Sequence, residues 1–179
     1  LCGFIVKKNS PSCGLFRVKV YNKGIPAKSG RGLFAAAMVE HFPLLPVEEE
    51  GRLYDMTIRE NFIERVFAYR RWKEFLRGRK GMGELAAFNG VNKLQLMAHS
   101  PRLCREMRKL VATGKAMKRE ELLARYGEYF MEALSFHATV KKNSDVFMHI
   151  MGYFKKELTI AEKTEILEVI RHYHARLIP

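Results

Sequence analysis

Apolar and polar positions in the first third of the chain follow the patterns of short strands and one helix. Residues 16–20 alternate apolar with charged or polar side chains, the period of two that is typical of a strand. Residues 3–6 are another strand-like run, and residues 33–42 have helical character and are stopped by Pro43. This order of strand, loop, strand, loop and helix predicts part of an α/β layer in residues 1–53.

Two polar segments interrupt this pattern. Residues 22–32 are rich in Gly, Lys and Ser, which predicts a loop. Residues 48–50 are three glutamates between Pro46 and Gly51. Because neighbouring like charges resist compaction, the glutamate run predicts a solvated connector to the rest of the chain.

From residue 54 onward the apolar spacing is helical. Asp55 or Thr57 can cap the first helix, because either side chain can accept from free N–H groups of the first turn. The apolar face of that helix is predicted to consist of Ile58, Phe62, Val66, Tyr69, Trp72 and Leu76. Further helices are predicted at residues 84–99, 101–113, 119–134 and 145–158, and after a capping box formed by Thr159 and Glu162.

The predicted fold is therefore mainly α. Residues 54–179 form a C-terminal all-α helical bundle, and residues 1–53 form a short α/β segment in front of it. Two strands in about fifty residues bury little surface by themselves, so the α/β segment is expected to be truncated. The chain also opens in a strand-like run without an initiating Met, and we expect it to be a piece of a longer protein.

Net charge narrows the classes of partner. The chain has 32 Lys+Arg against 19 Asp+Glu, a formal net charge of +13. Such a basic protein attracts polyanions, of which nucleic acid is the commonest, so a nucleic-acid partner is one interpretation of the charge. The alternative interpretation is a solvated basic surface without a specific ligand. The candidate RNA-binding residues fall in two helical clusters. The first contains Arg70, Arg71, Lys73 and Arg77, followed by Arg79 and Lys80, and the second contains Arg102, Arg105, Arg108 and Lys109.

Hydropathy and cysteine content favour a cytoplasmic location. The longest apolar run, residues 33–39, is far shorter than the ~20 residues that cross a bilayer, so no membrane partner is expected. No signal peptide is visible in the sequence. Three cysteines are too few and too scattered for a disulfide scaffold, which favours a reducing compartment.

Cys13, in the run Ser-Pro-Ser-Cys-Gly at residues 10–14, is the strongest chemical candidate. A cysteine in a tight loop can be exposed, and nearby backbone N–H groups favour the thiolate that attacks electrophiles or binds metal. The alternative is a small residue that fills a turn. We interpret Cys2 and Cys104 as packing residues, since their spacings to Cys13 match no zinc or iron–sulfur pattern.

Other polar motifs are weaker. Residues 28–32 precede a helix and could cradle a phosphate, but they lack the Walker pattern. The six histidines contain no HExxH pair, and we interpret His99 and His149 as structural residues.

Two sets of motifs resemble known families. The C-terminal part of the thiouracil desulfidase family resembles this chain over residues 3–7, 10–14, 17–21 and 30–34. The YbgA-like helical domain, a domain of unknown function, resembles it over residues 45–53, 60–72, 98–101 and 149–156, the last of which includes Met-Gly-Tyr-Phe-Lys-Lys. The two domains are often fused in this order.

The first resemblance implies a metal-dependent reaction. Members of the desulfidase family hold a cubane iron–sulfur cluster with three cysteines and leave one iron free to take sulfur from a thiolated pyrimidine. It implies that Cys13 is the third metal ligand, that Ser10 is catalytic and that Gly14 helps to bind the cofactor. The first two cysteine motifs are expected upstream of Leu1. A 4Fe–4S cluster is therefore expected in the full-length protein, and none in this piece alone.

The second resemblance implies an RNA partner. In the fused proteins the helical domain is thought to present RNA, which implies thiolated uridine in tRNA, 4-thiouridine, as the substrate. Asn89 and Asn92 stand where the family's Phe-His-Thr-x-His-Lys motif has histidines, so the role of those positions is open here. The leading hypothesis is an RNA-directed desulfidase. The alternatives are a non-catalytic RNA-binding module and a thiol enzyme that uses Cys13 as a nucleophile without metal.

Overall fold

The computed structural model describes residues 1–21, 24, 27–78 and 81–179. The chain divides into two compact units, Leu1–Lys80 and Gly81–Pro179. Four short strands belong to the first unit: β1 (Phe4–Val6), β2 (Val18–Val20), β3 (Ala27–Gly30) and β4 (Val47–Glu49). β1 and β4 pair in parallel, and β2 and β3 form a separate antiparallel pair.

The presence of β3 corrects the prediction that residues 22–32 form a loop throughout. Val20 lies opposite Ala27 and Val18 opposite Gly30, so pairing with β2 overrides the loop-like local composition. Asn22, Lys23, Ile25 and Pro26, which the same prediction covered, lie outside the described residues.

β4 shows that the predicted solvated connector was wrong. Glu48 and Glu49 are 6% and 2% exposed, and only Glu50 is exposed to solvent. The cause is long-range, because β4 pairs with β1 across more than forty residues of sequence, with Val6 opposite Glu49. Both buried carboxylates accept hydrogen bonds from N–H groups of the first unit.

Two helices complete the first unit. α1 (Leu33–His41) contributes Ala35 and Met38 to a core with Val6, Leu15, Leu45 and Val47. After a 3-10 helix at Glu50–Tyr54, α2 (Met56–Leu76) begins at Asp55, whose side chain accepts from the Thr57 and Ile58 N–H groups. This confirms Asp55 as the N-cap. The buried face of α2 ends at Phe75, whereas Leu76 is 44% exposed, because an apolar stripe drifts on a helix of 3.6 residues per turn.

The second unit contains five helices: α3 (Met82–His99), α4 (Pro101–Thr113), α5 (Arg119–Ser135), α6 (Val140–Tyr153) and α7 (Ile160–His174). Its fully buried side chains include Leu85, Leu96, Leu103, Met107, Tyr126, Phe130 and Leu134. α3 packs against α4, α5 and α6, and α6 packs against α7. α7 begins at the predicted capping box of Thr159 and Glu162 but has no buried residue.

α6 begins earlier than the predicted residue 145 and ends earlier than residue 158. Thr139 is its N-cap, and the Thr139 hydroxyl accepts from the Lys142 N–H at 3.3 Å. The prediction missed this cap because the two lysines and the asparagine that follow it interrupt the apolar spacing.

The predicted fold class is confirmed. The described residues form seven α-helices, and their strands are confined to the N-terminal part of the chain. None of the helices in the described part is both long and apolar enough to traverse a lipid bilayer. The sequence-based boundary at residues 53 and 54 differs from the packing boundary at residues 80 and 81, which places α2 in the first unit. Packing units and ancestral domains need not coincide, so the domain assignment stays a prediction.

Candidate functional site

Ser10 closes the loop that carries Cys13. The Ser10 hydroxyl oxygen accepts hydrogen bonds from the N–H groups of Cys13 at 3.1 Å and Ser12 at 3.3 Å. The Ser10 carbonyl accepts from the Gly14 N–H at 2.8 Å. Serine stabilises tight turns by this side-chain-to-backbone bonding. Ser10 therefore positions the backbone of Cys13, and the three residues implied by the desulfidase resemblance, Ser10, Cys13 and Gly14, lie within one loop.

The Cys13 loop docks on the first turn of α1. The Ser12 carbonyl accepts from the Phe34 N–H at 2.9 Å, and the Pro11 carbonyl accepts from the Leu33 N–H at 3.2 Å. These N–H groups have no partner inside the helix, so the loop satisfies them. Gly32 permits the close approach, since a Cβ there would collide with the Ser12 carbonyl. The phosphate cradle predicted before α1 is thus filled by loop carbonyls.

Cys13 and Gly14 face the interior of the first unit. Cys13 is half-buried and packs against the core cluster. Gly14 is buried, and a Cβ at this position would lie 2.8 Å from the Ser10 carbonyl oxygen. Glycine at position 14 therefore lets the loop close, while its contact with a cofactor stays a prediction.

Glu49 ties the residues after this loop to β4. Its Oε1 accepts from the Leu15 N–H at 2.9 Å and from the Phe16 N–H at 3.0 Å. Sequence reasoning missed Glu49 because it treated the three glutamates alike. The usable signal was the apolar run Leu44–Val47 directly before them, which continues as a buried strand.

Glu48 is held by a second set of donors. Its Oε1 accepts from the Arg52 Nε at 2.8 Å, an ion pair in which the carboxylate is buried. Burial lowers the pKa of Arg65, and the nearby Glu48 carboxylate opposes that shift. The two buried glutamates therefore differ in their partners. Glu48 pairs with Arg52 and accepts from the Glu49 N–H at 3.0 Å, whereas Glu49 accepts from the distant backbone of Leu15 and Phe16.

Glu49 also lines a cavity of about 350 Å³ together with Lys8, Asn9, Phe16, Arg17, Lys28 and Arg52. The Arg52 guanidinium lies over the Phe16 ring, 4.9 Å from its centroid. Asn9 and Arg17 have φ values of 59° and 54°. These values lie in the left-handed region, which is uncommon for residues other than glycine, and such backbone conformations cluster at functional sites. Four cationic side chains around one buried carboxylate suit an anionic or strongly polar ligand.

Two family models match separate parts of the chain. Residues 1–50 match the model described as 2-thiouracil desulfurase. Residues 93–179 match the model described as Protein of unknown function (DUF1722). The chain joins a desulfurase-like segment to a DUF1722-like segment. The first match confirms the resemblance to thiouracil desulfidases, and the second confirms the resemblance to the YbgA-like helical domain. No curated protein and no solved structure matches the chain.

The desulfurase-like segment contains the whole Cys13 loop, the cavity residues up to Glu49 and one other cysteine, Cys2. Cys104 belongs to the DUF1722-like segment and is buried, which raises the pKa of its thiol. No group of three His, Cys, Asp or Glu side chains in the described part of the chain could hold a metal ion. The described residues therefore do not bring three thiolates together, and the role of Cys13 as a cluster ligand stays a prediction.

The basic cluster on α2 lies between the two matched segments. Arg70, Lys73 and Arg77 line a cleft of about 420 Å³ that also includes Cys2. Arg70 bonds Glu74 at 2.9 Å, which raises the pKa of Arg70. Arg71 is not among the lining residues; it is half-buried, and burial lowers its pKa. Arg79 and Lys80 lie outside the described residues.

The basic cluster on α4 lies in the DUF1722-like segment. Arg102, Arg105, Arg108 and Lys109 are all exposed, opposite the buried face of this helix. Arg102 pairs with Glu132 at 3.5 Å, and Lys109 pairs with Glu106 at 3.1 Å. Within the described residues, Arg105 and Arg108 have no carboxylate at ion-pair distance. The structure thus brings the four predicted residues onto one exposed face.

Asn89 and Asn92, which replace the expected histidines, are bonded within the second unit. The Tyr126 hydroxyl donates to Asn89 Oδ1 at 3.3 Å, and Asn92 Nδ2 donates to the Phe88 carbonyl at 2.8 Å. His99 is 2% exposed, with its Nδ1 2.6 Å from the Phe136 carbonyl. His99 therefore has the structural environment that the sequence predicted.

Proposed function

We propose that this protein is a desulfidase that removes sulfur from thiolated uracil or uridine, with 4-thiouridine in tRNA as its substrate. The observation that carries the proposal is the Cys13 loop in the desulfurase-like segment, held by Ser10 and α1 and followed directly by the Glu49-bound backbone. A half-buried thiol on a hydrogen-bonded loop is suited to an active site, and the loop is followed closely in sequence by Phe16 and Arg17, which line the polar cavity. The three free cysteines accord with a cytoplasmic location.

The cavity supports a nucleotide rather than a free base as the substrate. Lys8, Arg17 and Lys28 provide the positive charge that a phosphate requires, while Arg52 is already paired with Glu48. The Phe16 ring adds an apolar surface on which a base can pack. In this proposal the cationic rim binds the phosphate next to the thiolated nucleoside. Glu49 holds the backbone on which Phe16 sits.

We propose that Cys13 supplies one thiolate to an iron–sulfur cluster in the protein expressed from its complete coding sequence. The described residues offer one cysteine at this loop, so we assign no complete cluster and no reaction step to residues 1–179 alone. Ser10 acts here by positioning Cys13, and a serine hydroxyl that accepts hydrogen bonds keeps a proton that it can donate toward a substrate.

Sulfide release tests this proposal. The protein expressed from its complete coding sequence and purified without oxygen should release sulfide from RNA that contains 4-thiouridine. Cys13→Ala should abolish both iron–sulfur absorbance and sulfide release. Cys2→Ala is the matched control, because Cys2 is also half-buried in the first unit but lies outside the loop. If the Cys13→Ala protein kept its absorbance and its activity, the assignment of the site would be wrong.

A non-catalytic RNA-binding protein is the second candidate function. The observation that favours it is the exposed basic face of α4, which does not depend on the Cys13 loop. Salt-sensitive RNA binding without sulfide release from any thiolated uridine would select this function over the first.

A further inference from the structure

Lys93, His149 and Tyr153 converge on the surface of the second unit. Lys93 belongs to α3, and the other two belong to α6, which packs against α3. Lys93 Nζ lies 2.8 Å from His149 Nε2 and 3.3 Å from the Tyr153 hydroxyl. His149 Nε2 also lies 2.9 Å from that hydroxyl. From the sequence we interpreted His149 as structural. Tyr153 lies in the Met-Gly-Tyr-Phe-Lys-Lys run and Lys93 at the lysine position of the Phe-His-Thr-x-His-Lys motif, but neither was given a role.

The chemistry of this group suits an anion beside a flat ring. Within the described part of the chain, no carboxylate pairs with Lys93. The Tyr153 ring is 57% exposed, and Lys93 Nζ lies 5.8 Å from its centroid. Proteins that bind single-stranded nucleic acid combine such an amine, for the phosphate, with an exposed aromatic ring, for the base.

We propose that Lys93, His149 and Tyr153 form a nucleotide-binding site for single-stranded RNA, in which Lys93 contacts a phosphate and the neighbouring base stacks on Tyr153. The site rests on the proposed function only in that RNA is the ligand, and it requires no desulfidation. α4, which carries Arg105 and Arg108, packs against α3, which carries Lys93, so these cations belong to neighbouring helices.

Arg125 and Tyr129 on α5 are a built-in comparison. The Arg125 guanidinium lies 5.6 Å from the centroid of the Tyr129 ring and donates to its hydroxyl at 3.3 Å. Glu121 and Glu128 lie one turn before and one turn after Arg125 on the same helix, and carboxylates so close to the cation disfavour a phosphate. The two cation–tyrosine pairs thus have similar geometry, but only the pair of Lys93 and Tyr153 is suited to bind RNA.

His149 is a positioning residue in this proposal. By accepting a hydrogen bond at Nε2, a neutral imidazole holds the Lys93 amine beside Tyr153. His149→Gln keeps an acceptor at about the same distance from the backbone, so it should preserve RNA affinity. His149→Ala should weaken it without changing the number of charges. Equal affinity of the Gln and Ala variants would remove His149 from the site.

Fluorescence anisotropy with a labelled single-stranded uridine-rich RNA tests the site in the 179-residue protein. Tyr153→Ala should weaken binding about tenfold, and Lys93→Gln by a similar factor. Lys93→Gln should also flatten the slope of log affinity against log salt by about 0.7. Arg125→Gln and Tyr129→Ala are the matched controls and should change affinity less than twofold. Circular dichroism of each variant checks folding, and Tyr153→Ala is the safer variant because its side chain is exposed.

The outcomes separate this site from the proposed function. If RNA binds the wild-type protein but Tyr153→Ala binds as well as Tyr129→Ala, the site is wrong while the RNA partner stands. If RNA does not bind the wild type at all, both the site and the RNA partner are wrong. The last outcome compares two competitors at the same total concentration of phosphate groups: millimolar inorganic phosphate and unlabelled RNA. If the two displace the labelled RNA equally well, the site binds free phosphate and the nucleotide assignment is wrong.

Discussion

Glu49 connects the Cys13 loop to the interior of the first unit. Its carboxylate is almost fully buried and accepts from two consecutive backbone N–H groups, of Leu15 and Phe16. A buried donor that loses a charged acceptor bears the full cost of desolvation. The position of the residues that follow Cys13 and Gly14 therefore depends on one side chain from a distant strand.

Replacement of Glu49 should destabilise the first unit. Glu49→Ala leaves one buried and one partly buried backbone N–H group without their acceptor, so the free energy of unfolding should fall by about 2–4 kcal/mol. Glu50→Ala is the matched control, since Glu50 is exposed and, among the described residues, accepts a hydrogen bond from the Lys8 N–H at 2.7 Å. Its effect should stay below about 1 kcal/mol. Urea unfolding followed by the fluorescence of Trp72, the single tryptophan, reports on this unit. Equal losses in the two variants would contradict the role given to Glu49.

Ser10 shows how a residue can satisfy a structural and a chemical role together. Its hydroxyl oxygen accepts from the backbone of the Cys13 loop, and this bonding alone is enough to explain a serine there. The resemblance to desulfidases implied a catalytic role, which stays a prediction. The motif can be recognised from sequence, and so can the ability of its serines to bond local backbone, which the structure shows for Ser10.

α4 is the element whose two faces differ most clearly. Leu103, Cys104, Met107 and Leu110 are buried, while the arginines and lysine between them are exposed. The ion pairs of Arg102 and Lys109 are exposed and therefore weak, but each places a carboxylate next to the cation. Arg105 and Arg108 are the cations on this face best suited to phosphate.

Two double variants of α4 compare these cations at equal charge. Arg105→Gln with Arg108→Gln should weaken RNA binding more than Arg102→Gln with Lys109→Gln, because only the second pair is partly neutralised by carboxylates. For each cation that binds a phosphate, its removal should flatten the slope of log affinity against log salt concentration by about 0.7. Anisotropy titrations at several salt concentrations measure both quantities. If neither double variant altered affinity or slope, α4 would not be part of the RNA site.

Elements formed by local signals were predicted well, and those formed by distant pairing were not. Ser100 and Pro101 mark the start of α4, and Thr159 and Glu162 mark the start of α7. Both starts could be predicted because caps and apolar spacing act within one or two turns of a helix. β4 was missed because its partner β1 lies more than forty residues away. The site followed the same rule: the Cys13 loop is contiguous in sequence, whereas the cavity around Glu49 is assembled from four separate segments.

At the scale of the whole molecule, each matched segment lies within one compact unit. Residues 1–50 fall in the unit that carries the Cys13 loop, and residues 93–179 fall in the unit that carries α4 and the Lys93 group. The net charge of +13 favours attraction of RNA to both. We infer a division of labour in which the second unit binds the RNA and the first unit recognises the thiolated nucleotide.

One measurement tests this division of labour most directly: the ratio of kcat/KM for thiolated uridine within RNA to kcat/KM for the free thiolated nucleoside. It requires the protein expressed from its complete coding sequence and kept free of oxygen. The ratio should be well above one at low salt, and Arg105→Gln with Arg108→Gln should lower it by reducing only the value for RNA. A free nucleoside that reacts as efficiently as the same nucleoside in RNA would contradict an RNA-directed desulfidase.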